Sequence, residues 1–197
     1  MSLLKKKYNL SNNYIYYPAM YLPHKNHRII IDTLKKLKLK NIKFDVVFTG
    51  SDTGYKKNLV NYAKTQNVSE NIKFLNFVED HELPYIYLNS KIIVFPVLIG
   101  PTFIPVWEAF KMKKPVIFSN LSGIKDVYGD AVLYIDPFNS DDIAKAIEKI
   151  SNDKSTEEYL IKNGAAQLQK IENEDQYSQI FSIINNYRKI KKTWDIE

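Results

Sequence analysis

Residues 91–119 read Lys91-Ile-Ile-Val-Phe-Pro96-Val-Leu-Ile-Gly100-Pro101-Thr102-Phe103-Ile104-Pro105-Val-Trp-Glu108-Ala-Phe110-Lys-Met-Lys-Lys114-Pro115-Val-Ile-Phe-Ser119. Ile92 to Pro96 and Pro115 to Ser119 are short, continuously apolar and β-branched or aromatic, as strands buried on both faces must be. Between them a Gly-Pro-Thr loop leads into a helix opening near Pro105, whose fixed φ and missing N–H suit a first helical turn. Strand, helix and strand in this space make one βα unit.

The same alternation extends in both directions. Further strands are expected at Tyr14–Pro18, Phe44–Thr49, Ile72–Leu75 and Val132–Ile135, each closed by Gly, Pro, Ser, Asn or Asp. Helical spacing brings Ile30, Leu34 and Leu37 onto one face and Ile143, Ile147 and Ile150 onto another. The second of these helices opens with a Ser140 cap and with Asp141 and Asp142 at the positive end of its dipole. From about Asp175 to Lys192, Tyr177, Ile180, Phe181, Ile184 and Tyr187 share a stripe that ends in Arg188, Lys189, Lys191 and Lys192, which reads as a terminal amphipathic helix. Strands separated by helices predict an α/β protein, a Rossmann-like, doubly wound parallel sheet of about six strands. One domain over 14–197 is expected, with 1–13 as an N-terminal tail that is in part a cloning remnant. Ligands of such sheets bind where the strands end. That directs attention to loops Ala19 to Lys25, Gly50 to Gly54, Asn76 to Asp80, Val97 to Pro105, Asn120 to Gly123 and Asp136 to Asn139.

Composition narrows the function classes. The net charge of +6 is concentrated in residues 1–50, which carry +8, while the remainder carries −2. Lys35, Lys36, Lys38 and Lys40 read as the wet face of an amphipathic helix, so nucleic-acid binding is not expected. No apolar stretch is long enough to span a bilayer as a helix, and the start does not read as a signal peptide. A soluble, cytoplasmic protein is therefore expected, and the basic end near Arg188 would allow peripheral contact at the inner face of a membrane. With no cysteine there is neither a disulfide scaffold nor a thiolate zinc site. Neither a GxxxxGK[ST] phosphate loop nor a three-glycine dinucleotide fingerprint occurs.

Three places remain for chemistry. Lys25, in His24-Lys25-Asn26-His27 after the first strand, would set an ammonium beside free helix N–H groups, which suits a diphosphate. Gly50 follows a buried strand, either where a backbone approaches a ligand or as an ordinary turn. The loop before Pro105 aims backbone donors at an anion, and Glu108 could accept hydrogen bonds from vicinal ribose hydroxyls.

These segments also occur in a known order. Pro18-x5-His-Lys-Asn-His, the strand ending in Thr49-Gly50, Phe77-Val78, Ile104-Pro105-x-x-Glu108-Ala109, Pro115-Val-Ile-x-Ser-Asn120, Gly129-Asp-Ala131 and Asp136-Pro137 together resemble the C-terminal domain of group 1 (family 4) GT-B glycosyltransferases, over about residues 14–190. The resemblance implies the C-terminal half of a GT-B fold and retaining transfer from a UDP- or GDP-type sugar donor to an acceptor hydroxyl, as in bacterial surface polysaccharide biosynthesis. By it, Lys25 neutralises the donor diphosphate, with Thr102, Phe103 and Ile104 at the phosphates and sugar. Glu108 binds the ribose, Gly50 lines the cleft, and Phe77 and Val78 meet the nucleobase. It implies no cofactor and no metal. The acceptor, a saccharide or lipid-linked saccharide, would bind an N-terminal domain for which this sequence has no room. Two positions depart from the family pattern: Gly100 stands where a glutamate is usual, and Met20 where an arginine is common. No residue is therefore assigned a catalytic role, and a non-catalytic nucleotide-sugar module partnering a separate acceptor subunit is the alternative reading.

Overall fold

A computed structural model of the chain describes residues 6–100, 104–173 and 176–192. Among them six strands form one sheet: β1 (Tyr14–Pro18), β2 (Asp45–Thr49), β3 (Ile72–Phe74), β4 (Ile92–Phe95), β5 (Val116–Ser119) and β6 (Val132–Ile135). Every pairing is parallel, in the order β3-β2-β1-β4-β5-β6. The chain thus winds outward from β1 to β3, returns to the centre, and winds the other way from β4. The reversal lies between β1 and β4, where Tyr16 is in register with Val47 on one side and Ile93 on the other.

Residues 6–8 are helical, and eight further helices follow: α1 (His27–Leu39), α2 (Lys56–Thr65), α3 (Leu83–Asn89), α4 (Ile104–Lys111), α5 (Ile124–Tyr128), α6 (Ser140–Asn152), α7 (Lys154–Asn173) and α8 (Gln176–Lys192). Alternate residues of β1 show how they cover the sheet. The Tyr14 hydroxyl donates to the Ile86 carbonyl of α3 at 2.6 Å and the Tyr16 ring meets Tyr87 edge-on, whereas Tyr17 turns the other way and stacks near His27 of α1. Ile30, Leu34 and Leu37 of α1 and Ile143, Ile147 and Ile150 of α6 are all buried, as their spacing predicts. These two helices pack together, and Lys40 and Glu148 pair across their edge at 2.6 Å. Elsewhere α4 packs on α7, where a Cβ at Gly164 would come within 2.6 Å of the Phe110 ring.

Two expectations change, and a third element forms as expected with its apolar stripe in view. The α6 cap is Asn139 and not Ser140: its side chain accepts from the Asp141 and Asp142 N–H groups at 3.0 and 3.2 Å, and Ser140 is already helical. Residues before 14 are not all tail. Leu10 is buried in the core, Lys7 pairs with Glu82 at 2.7 Å, and the Tyr8 hydroxyl donates to the same carboxylate. The terminal helix forms, but Ile180, Phe181, Ile184 and Tyr187 are each more than half exposed, so its stripe is uncovered among the described residues. The side chains of Tyr177, Arg188 and Lys192 lie outside those residues. No helix among the described residues is long and apolar enough to cross a membrane.

Candidate functional site

In a parallel sheet every strand delivers its following loop to the same edge, and the crevice opens where the winding reverses. Here that point lies between the loops after β1 and β4. The β1 loop carries Lys25 in a short 3-10 turn, Pro23–Lys25, two residues ahead of α1 rather than in the helix itself. Asn26 then turns the chain into α1 from a left-handed conformation, φ 59° and ψ 35°. Burial lowers the Lys25 pKa from its ordinary value, and an anion bound beside it would favour its charged form.

Hydrogen bonds hold this loop against its neighbours. Tyr17 donates to the Lys25 carbonyl at 2.7 Å, and the Leu98 N–H donates to the His24 carbonyl at 3.0 Å. The Asn26 amide nitrogen donates both to Pro96 of the β4 loop at 2.9 Å and to Pro137 of the β6 loop at 2.8 Å. On the other side, Ala19 N–H reaches the Thr49 carbonyl at 2.9 Å and Gly50 N–H reaches Asn76 at 3.3 Å. A Cβ at Gly50 would lie 2.2 Å from the Ala19 carbonyl oxygen. The close approach that requires this glycine is therefore made by the protein's own backbone, at the cleft edge.

Beneath the loop, His27 is fully buried among Tyr17, Tyr21 and Phe48, with ring centroids 4.7 to 5.2 Å apart. Neither of its ring nitrogens has a hydrogen-bond partner. Burial pushes its pKa down to about 3, and the Lys25 charge acts in the same direction.

Across the crevice, α4 begins at Ile104, which is 75% exposed, with Pro105 beside it. Glu108 lies one turn in and is half-buried, and its Oε2 accepts from the Tyr87 hydroxyl of α3 at 2.7 Å. Thr102 and Phe103 lie outside the described residues. Phe77, after β3, is 68% exposed and free to meet a planar ligand, but Val78 is only 6% exposed and belongs to the core.

The geometry also brings out features the sequence reading passed over. Met20, Phe77, Ile99, Ile104 and Phe138 are all large, apolar and 45% to 77% exposed, and all follow the carboxyl ends of strands, giving the cleft an apolar rim. Beyond it a cavity of about 410 Å³ is lined by Asn120, Leu121, Tyr134, Asp136 and Phe138 at the ends of β5 and β6. A larger groove, about 550 Å³, is lined by Asn13, Lys38, Asn41 and Phe44 at the opposite, amino-terminal edge, away from the edge where such sheets bind ligands. Tyr87 was also not anticipated, since its partner is 21 residues away on another helix.

An ammonium and a helix start that follow two adjacent strands to one sheet edge, with a carboxylate held one turn into the helix, offer donors to an anion and an acceptor to a vicinal diol. The family model for group 1 glycosyl transferases matches residues 3–167. The chain belongs to the group 1 glycosyl transferases. Among relatives in this family, it is 27% identical over 186 residues to O-antigen chain mannosyltransferase B of Escherichia coli, covering 93% of this chain and 48% of that one. HepE of Anabaena, solved in complex with UDP, superimposes with a TM-score of 0.79 at 19% identity, over 92% of this chain and 52% of its own. The C-terminal domain of a group 1 glycosyl transferase from Francisella tularensis gives a TM-score of 0.70 at 17% identity, over 85% of this chain and 90% of that domain. The architecture is that of a GT-B glycosyltransferase half. This group 1 glycosyl transferase chain spans about half the length of the curated relative it matches.

Proposed function

We propose that this chain binds the nucleotide diphosphate sugar, of UDP or GDP type, for a retaining glycosyl transfer to an acceptor hydroxyl. The observation that carries the reading is the reversal of strand order between β1 and β4, which sends the loop of Lys25 and the segment leading to the α4 start and Glu108 from neighbouring strands to the same edge of the sheet. Lys25 and the helix N–H groups stabilise the diphosphate before and after it leaves, which is electrostatic preorganisation at the atom where charge develops. Glu108 accepts from the ribose, and Phe77 offers a face to the base. Thr102, Phe103 and Ile104 contact the phosphates and sugar, and Gly50 closes the cleft edge. No metal is required in this scheme. The transferred group is a hexose. Mannose is the sugar named for the Escherichia coli relative, and O-antigen synthesis is the pathway class its name carries. The acceptor, a saccharide or lipid-linked saccharide, binds an N-terminal domain, consistent with a relative about twice as long. The chain acts in the cytoplasm, at the inner face of the membrane where lipid-linked saccharide is available.

Calorimetric titration of this chain with UDP, GDP and ADP tests the reading. One of UDP or GDP is expected to bind, and Lys25→Ala and Glu108→Ala are each expected to weaken it about tenfold, as loss of a hydrogen bond to a charged group does. Binding of none of the three would overturn the donor-site assignment. Unchanged affinity in both variants would overturn the residue roles alone.

A further inference from the structure

Glu108 does not present a free carboxylate to the crevice. The Tyr87 hydroxyl lies 2.7 Å from Oε2 and 3.4 Å from the Pro105 carbonyl, so its single proton is directed to the carboxylate. Tyr87 is itself 1% exposed, and a buried hydroxyl is retained only where it has a partner that offsets its lost hydration. Its ring cannot turn away, because it meets Tyr16 edge-on with centroids 4.9 Å apart. Tyr16 in turn is fully buried and shares a hydrogen bond with the Thr49 hydroxyl at 2.7 Å, one residue before Gly50. A path from the half-buried Glu108 through the buried Tyr87, Tyr16 and Thr49 thus ties the carboxylate on α4 to the cleft edge after β2.

A carboxylate has two oxygens, and a diol needs at least one of them held in place. Tyr87 occupies Oε2 and so fixes the carboxylate rotamer, leaving Oε1 to accept from a ligand hydroxyl. We infer that Tyr87 is the positioning residue that orients Glu108, and that the Tyr87–Glu108 pair sets the preference of this site for a ribonucleotide over a nucleotide lacking the ribose hydroxyls. The inference rests on the donor-site reading above. It adds a residue that touches no ligand and a specificity that the reading alone does not assign to it.

Tyr87→Phe removes one oxygen and keeps the ring and its contact with Tyr16. Wild type and variant are titrated with UDP and GDP and with the 2′,3′-dideoxy form of whichever binds. Wild type is expected to prefer the ribonucleotide about tenfold, the usual worth of a hydrogen bond to a charged group. In Tyr87→Phe that preference is expected to fall to about threefold or less, about 0.7 kcal/mol of residual preference, with the affinity for the dideoxy compound unchanged. Added to Glu108→Ala, Tyr87→Phe is expected to have no further effect on the ribonucleotide. An undiminished preference in Tyr87→Phe overturns the inference, as does an equal loss for both compounds, which would mean a purely structural role. If Tyr87→Phe does not fold, Glu108→Asp, which draws the carboxylate back from the Tyr87 hydroxyl, must lose the preference in its place, and retention there overturns the inference. A wild-type chain that binds both forms equally overturns it while leaving the donor site standing. A wild-type chain that binds neither nucleotide overturns both.

Discussion

His27 packs with three aromatic rings, without a hydrogen bond to either nitrogen, directly under the loop that carries Lys25. Its folded pKa of about 3 lies below the ordinary 6.5, so below pH 6.5 the unfolded chain takes up a proton that the native chain refuses. Stability is therefore intact above that pH and is lost as pH falls toward the folded value, by about 1.4 kcal/mol per pH unit. Urea midpoints between pH 7 and 4.5 should show this slope in the wild type and a much flatter one in His27→Leu; equal slopes would mean that other groups account for the acid sensitivity. At this scale the sequence was only partly legible. Lys25, Gly50 and Glu108 are each ordinary for their positions taken singly, and they stand out only because they fall in the ordered set of motifs that carries the family resemblance. Of the adjacent Phe77 and Val78, only the turn of the chain decides which side chain faces water, and it is Phe77. Tyr87 could not be found at all, since a buried hydroxyl declares its purpose only when its partner on another helix is known.

Elements were more legible than residues, and for a physical reason. Strands such as Ile92–Phe95 and Val116–Ser119 are buried on both faces, so each is an unbroken apolar run, and the six expected strands form in the expected order with ends shifted by about one residue. Helix ends were less certain. Asn139 and Ser140 are both capping residues, and only backbone conformation, φ −117° and ψ 99° at Asn139, selects the first. Asn139→Ala is expected to cost about 1 kcal/mol, or about 2–4 °C in melting temperature for a chain of this size, and Ser140→Ala close to nothing. Thermal melts of the two variants check the assignment, and the reverse ranking would refute it. The Lys25 turn shows the same limit: a cation near a helix start was evident, but the intervening 3-10 turn and the left-handed Asn26 were not.

Taken as one molecule, the chain uses its sheet to bring six loops to one edge and then uses side chains to fasten them. Asn26 fastens three of them, since one amide nitrogen bridges the β4 and β6 loops from the β1 loop. Replacing that nitrogen by oxygen, as in Asn26→Asp, turns a double donor into an acceptor facing two carbonyls. A loss of about 2 kcal/mol or more in stability is expected, together with weaker nucleotide binding, because the two bonds become repulsions. A melt and a titration on that variant measure both, and a change in neither would show that the loops are held by other means. Asn26→Asp is also the product of spontaneous hydrolysis of the amide. That change of a single atom would thus release the β1 loop from two neighbours in one event.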